Sequence, residues 1–162
     1  MEIYLLRHGK AEDAAPGMSD RDRRLTPEGI VSMKSELPGI KKHIPRLDRV
    51  LTSPYPRAEE TARIAATAFG LESSVEQLDA LAAAAAEKEI VQKLSEFPDG
   101  AAVMLVGHSP LLEELAEYLI GPGHEIILKK GGLAKITFRE KPSRDNGSLE
   151  WCFKPKELKA KA

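Results

Sequence analysis

Short apolar runs alternate with stretches of helical spacing along most of this chain. Residues 2–6 form an apolar run that reads as a first strand, and a polar loop from Lys10 to Arg24 follows. Thr26-Pro27 then opens a helix, with Thr26 as N-cap and Pro27 at the first helical position, running to about Ile40. Arg49 to Leu51 reads as a second strand, followed by a helix from Pro56 to about Phe69 that Gly70 stops. A short edge strand is expected within Ser74 to Leu81. A helix is expected from Ala82 to Phe97, because the run Ala82 to Ala86 has high helix propensity. Ala102 to Val106 is a buried third strand, and Ser109 caps a helix from Pro110 to Leu119. Gly121-Pro122-Gly123 is a turn. Leu133 to Phe138 and Ser148 to Phe153 alternate like the arms of a hairpin. The lysine-rich tail, residues 154–162, is expected to fray.

This order predicts a three-layer α/β/α sandwich with a mainly parallel sheet and antiparallel C-terminal strands. The 162 residues suit a single domain spanning 1–162.

Three strand ends carry the candidate chemistry. The first strand runs into Arg7-His8-Gly9, the second into Ser53-Pro54-Tyr55-Pro56-Arg57, and the third into Gly107-His108-Ser109-Pro110. Open α/β sheets bind their ligands at the carboxyl ends of strands. If the three strands lie parallel, Arg7, His8, Arg57 and His108 converge on one edge. Two arginine forks, two imidazoles and a helix N-terminus would make an anion-selective pocket. A phosphoryl group fits it, since phosphoryl transfer is served mostly by positioning and fixed positive charge. His8 would attack phosphorus through a free ring nitrogen, and its other nitrogen would then donate to a backbone carbonyl. Arg7, Arg57 and His108 would bind the phosphoryl oxygens, with Gly9 allowing close approach and Ser109 adding a backbone contact. Arg57 paired with Glu60 or Thr61, and Ser109 as a plain N-cap, are the simpler structural roles for those side chains.

Taken together, Arg-His-Gly, Ser-Pro-x-x-Arg-Ala-x-x-Thr and Gly-His-Ser resemble the histidine phosphatase superfamily, which includes the phosphoglycerate mutases. The short length and the block Ser53 to Ala62 look like its SixA-type phosphohistidine phosphatases. The resemblance implies a phosphoglycerate mutase-like fold and a two-step reaction through a covalent phosphohistidine at His8. It implies a phosphorylated protein as substrate, such as a histidine-containing phosphotransfer domain, and a role in signal transduction. Two departures stand out. Where a SixA-type sequence is expected to hold a glutamate proton donor, this chain has Ala80, and Asp79 is the candidate substitute. Where mutase-like members carry an asparagine, it has Ala14. A weak acid matters little for imidazole as leaving group and greatly for an alkyl alcohol, so the first departure favours an N–P substrate. With no long insertion between Leu71 and Ala102, an open pocket is expected, which suits a side chain on another protein. The alternatives are a phosphatase on a small phosphomonoester and a non-catalytic phospho-residue binding module.

Composition narrows the rest. A net charge of -1 and a pI of about 6.4 give no reason to expect nucleic acid or an acidic membrane surface as partner. Cys152 is alone, so no internal disulfide can form, and it is expected to be a small buried hydrophobe on a late strand. No metal or other cofactor is expected, because the arginines supply the charge and no acidic or histidine-rich metal spacing is visible. No signal-peptide pattern and no apolar stretch of membrane-spanning length is visible, so a cytoplasmic location is expected.

Overall fold

A computed structural model describes residues 1–160. Six strands form one sheet: β1 (Glu2–Arg7), β2 (Arg49–Thr52), β3 (Glu76–Gln77), β4 (Ala102–Gly107), β5 (Leu133–Thr137) and β6 (Ser148–Phe153). Their order is β3-β2-β4-β1-β5-β6. The first four of these run parallel, with β1 against β4, β4 against β2 and β2 against β3. β5 is antiparallel to β1, and β6 to β5. The expected mixed sheet with antiparallel C-terminal strands is therefore present.

Period-two alternation explains how the sheet is covered. On β1, Ile3 and Leu5 face a core with Leu51, Val103 and Leu105, sealed by Ile90 and Leu94 of α3 (Glu87–Leu94) and by Leu112, Leu115 and Leu119 of α4 (Leu111–Ile120). Tyr4 and Leu6 face the opposite core with Val50, Met104 and Val106. That side is covered by Met33 and Ile40 of α1 (Pro27–His43) and by Ala58, Ala62, Ala65 and Ala66 of α2 (Pro56–Thr67). β4 is buried at all six positions, as a central parallel strand covered on both faces requires.

Three expectations need correction. The tail does not fray over the described residues: Pro155–Ala160 forms α5, whose Leu158 is fully buried against α1. α1 allows this close docking through Gly39, where a Cβ would collide with the Leu158 carbonyl. Residues 161–162 of that tail lie outside the described residues. The alanine run is not helical. Asp79–Ala82 is a single 3-10 turn that carries Leu81 into the core, Ala85 sits at φ 56, and α3 starts only at Glu87. Packing of Leu81 under the end of β4 overrides alanine's propensity. Finally, α4 begins at Leu111 with Pro110 at the cap position, so Ser109 lies one residue before the N-cap.

Candidate active site

The site is assembled by backbone pairing at the carboxyl edge of the sheet. Arg7 stands opposite Gly107 in the β1–β4 register, and the His8 amide donates to the Gly107 carbonyl at 3.0 Å. That bond sets His8 beside His108, with ring centroids 5.2 Å apart. The Ser53 amide donates to the Val106 carbonyl at 2.9 Å, which brings the end of β2 to the same place. α2 starts three residues later with Arg57 in its first turn, buried. On the other flank, the Gly131 amide donates to the carbonyls of Arg7 and His8 at 3.0 and 3.2 Å. The four residues expected at one edge thus do converge.

Each side chain is held by a specific partner. His8 Nδ1 lies 2.7 Å from the Gly9 carbonyl oxygen. A carbonyl can only accept, so Nδ1 carries the hydrogen and Nε2 keeps its lone pair. Gly9 is fixed in turn, its amide donating to Thr61 Oγ1 at 3.1 Å, while the Thr61 hydroxyl donates to the Arg57 carbonyl at 2.8 Å. Arg7 Nη1 donates to the Leu128 carbonyl at 2.9 Å. Arg57 donates from Nη1 to the Asp20 carbonyl at 2.8 Å and from Nη2 to Asp20 Oδ2 at 3.1 Å. Neither Glu60 nor Thr61 takes the Arg57 guanidinium: Glu60 Oε1 accepts from the Leu25 amide instead. His108 Nε2 lies 2.7 Å from Ser53 Oγ.

Three buried nitrogens at this edge have no hydrogen-bond partner among the described residues: Arg7 Nε, Arg57 Nε and His108 Nδ1. Buried donors left open are costly, and such groups mark places where a ligand completes the bonding. All three belong to the residues expected to bind a phosphoryl group.

Burial and local charge keep both imidazoles neutral. Burial pushes the His8 pKa down to about 3, and His108, Arg57 and Arg7 push the same way against the opposing hydrogen bond to Gly9. Burial also lowers His108 to about 4, helped by Arg57 and Arg7, with Asp20 acting the other way. A neutral His8 with an exposed-electron-pair nitrogen can act as a nucleophile, and two arginines can hold an anion against it.

Ser109 does not cap the helix. Its hydroxyl donates to Glu113 Oε2 at 2.5 Å, the same oxygen that accepts from the Leu128 amide at 3.4 Å. Asp79 is exposed in the 3-10 turn, where it lines a surface cavity with Glu76, Gln77, Glu89 and Lys93. None of Arg7, His8, Arg57 and His108 lines that cavity. Among the described residues, no three His, Cys, Asp or Glu side chains cluster so as to hold a metal ion.

Several contributors carried no assigned role in the sequence. Asp20 comes from the polar loop, in a 3-10 turn (Asp20–Asp22) that packs toward α2. The charged run there forms an ion pair between Arg23 and Asp20 at 2.7 Å, and Asp20 also reaches into the site. Tyr55 places its ring 4.9 Å from that of His108 and beneath the Arg21 and Arg57 guanidiniums. Ser53 and Thr61 sit inside the second motif, so their spacing relative to Arg57 was the available signal. Leu128 supplies only a carbonyl, which no residue type reveals.

The family model of the histidine phosphatase superfamily (branch 1) matches residues 3–85. The chain belongs to that superfamily, and its SixA-type relatives make it a phosphatase. Within it, the SixA-type proteins are the group it resembles. It is 33% identical to the phosphohistidine phosphatase SixA homolog of Haemophilus influenzae, over 85% of this chain and 88% of that one. An uncharacterized protein of Picosynechococcus is 36% identical over 82% of each chain. A solved structure of the protein histidine phosphatase SixA complexed with tungstate superposes with a TM-score of 0.77 at 28% identity, covering 98% of this chain and 99% of that one.

Proposed function

We propose that this phosphatase hydrolyses the P–N bond of a phosphohistidine on a partner protein, with His8 as covalent nucleophile. The observation that carries the proposal is the His8 Nδ1–H bond to the Gly9 carbonyl, which leaves Nε2 unprotonated beside Arg7, Arg57 and His108. In the first step Nε2 forms a bond to phosphorus while the substrate's P–N bond breaks. The departing imidazole keeps its electron pair and leaves as a neutral ring when its other nitrogen is already protonated. In the second step water adds its oxygen to phosphorus, passes a proton to solvent and displaces Nε2 as the P–Nε2 bond breaks, which restores neutral His8 and releases inorganic phosphate. Arg7 and Arg57 hold the phosphoryl oxygens in both steps and His108 donates one further hydrogen bond. The backbone of Gly9 and Ser109 borders the phosphoryl group.

A protein-borne phosphoramide fits better than an alkyl phosphate for two reasons. Ala80 offers no acid, and Asp79, the nearest carboxylate in sequence, is exposed and lines a cavity that none of the four site residues shares. Imidazole leaves without a strong acid, and an alkoxide does not. The segment between Leu71 and Ala102 holds only two 3-10 turns, β3 and α3, so no inserted helical cap encloses a small molecule.

The test is phosphate release from a phosphohistidine-bearing protein, an aryl phosphate and an alkyl phosphate under matched conditions. The phosphoprotein is expected to turn over fastest and the alkyl phosphate slowest. Rapid turnover of the alkyl phosphate would make this a small-molecule phosphatase. Tight phosphate binding with no release from any substrate would make it a binding module.

A further inference from the structure

Among the described residues, Ser53 carries the one fully buried hydroxyl that touches an imidazole of the site. Its Oγ lies 2.7 Å from His108 Nε2 and accepts from the Tyr55 amide at 3.2 Å. Residue 53 itself cannot drift. Its amide is bonded to the Val106 carbonyl at 2.9 Å, and its carbonyl accepts from Thr52 Oγ1 at 3.0 Å. The hydroxyl hydrogen has one acceptor within reach among the described residues, and that acceptor is His108 Nε2.

Counting hydrogens then separates the two neutral forms of His108. If Nε2 carried the proton, it would donate to Ser53, and the buried Ser53 hydroxyl hydrogen would have no acceptor. The bare Nδ1, buried and unpartnered, would also lack a donor. If Nδ1 carries the proton, Ser53 satisfies both its own hydrogen and Nε2, and the single open group is an Nδ1–H donor. Native interiors leave few polar groups unpaired, so the second form is the one this packing selects. Its lone open donor is what an anionic oxygen needs, and it joins the open Arg7 and Arg57 nitrogens.

We infer that Ser53 is a positioning residue that locks His108 in the Nδ1–H form, so that His108 meets the phosphoryl group as a neutral hydrogen-bond donor. The inference rests on the proposed function for its catalytic consequence, while the tautomer itself is a property of the resting protein. The ring stays neutral because burial and the neighbouring arginines hold its proton affinity low. Ser53 touches no substrate and acts only through the imidazole.

The experiment is a nitrogen-15 spectrum of histidine-labelled protein at pH 7, with the His108 signals identified by their loss in His108→Gln. In the wild type, His108 is expected to show a protonated Nδ1 and a bare Nε2. Ser53→Ala is expected to move it toward the Nε2–H form. His8, fixed independently by the Gly9 carbonyl, should keep its Nδ1–H pattern and so reports an intact fold. In the same variant, kcat on a phosphohistidine protein should fall roughly ten- to hundredfold, the scale found for groups that orient metal-bound imidazoles. An Nε2–H pattern in the wild type, or a wild-type pattern surviving in Ser53→Ala, would overturn the inference. The expected spectra from a protein that releases no phosphate would uphold it while sinking the proposed function.

Discussion

Asp20 holds Arg57 through two bonds, main-chain carbonyl to Nη1 and carboxylate to Nη2. A loop residue thus places a negative charge on the guanidinium that should receive a phosphoryl group. Arg23 shares the load, donating to Asp20 Oδ1 at 2.7 Å, and it keeps the carboxyl below its usual range. Because the Asp20 carbonyl remains in any variant, Asp20→Asn removes charge while leaving Arg57 anchored. The variant is expected to bind inorganic phosphate or tungstate about two- to fivefold more tightly, the scale of an exposed ion pair. Weaker binding would mean that the carboxylate chiefly orients Arg57. Titration by calorimetry decides between them.

Both site imidazoles titrate far below the ordinary histidine range, at about 3 for His8 and about 4 for His108. Unfolded histidine takes up a proton near pH 6.5. Between pH 6.5 and about 3 the unfolded chain therefore binds more protons than the native one, and stability falls as pH drops through that window. Urea unfolding at pH 7 and pH 4.5 should show this loss. It should be smaller in His8→Asn, which removes one of the two buried imidazoles. An equal loss in the variant would mean that His8 is protonated in the native site.

Glu36 is a buried carboxyl on α1 that the chemistry does not use. It lies close against Gly131, its Oε1 lacks a partner among the described residues, and burial pushes its pKa up to about 8, with Lys159 pulling slightly down. The unfolded carboxyl ionises near 4.5, so stability is full below that pH and declines as pH rises to about 8. Glu36→Gln keeps the volume and removes the ionisable proton. It should stabilise the protein by about 1–2 kcal/mol at pH 7.5, and much less at pH 4.5. Destabilisation at pH 7.5 would show that the carboxylate has a partner in solution.

The docked C-terminal helix gives a packing test. Leu158 is fully buried against α1. Leu158→Ala should cost roughly 2–5 kcal/mol in chemical denaturation, as buried leucine truncations do. A cost under about 0.5 kcal/mol would match an exposed, frayed tail instead.

Much of the site was legible because its chemistry lies in three local motifs. Arg7, His8, Arg57 and His108 each stand within a few residues of a strand end, and strand ends can be read from apolar runs. The register that brings Arg7 opposite Gly107 follows once β1 and β4 are neighbours. Asp20 and the Leu128 carbonyl were not legible, since each reaches its arginine across long sequence separation from an irregular segment. The Ala82 to Ala86 run misled for the opposite reason. Its local propensity was clear, but burying Leu81 required a 3-10 turn and a positive φ at Ala85. In the same way the lysine-rich composition of the tail hides Leu158, whose burial anchors the described part of it.

The most direct test of His8 as nucleophile is rapid quenching during turnover of a radiolabelled phosphohistidine protein. Label should appear on the enzyme in acid-labile, alkali-stable form, map to the peptide holding His8, and vanish in His8→Asn. Turnover at the wild-type rate without labelled enzyme, or label persisting in His8→Asn, would contradict a covalent step at His8.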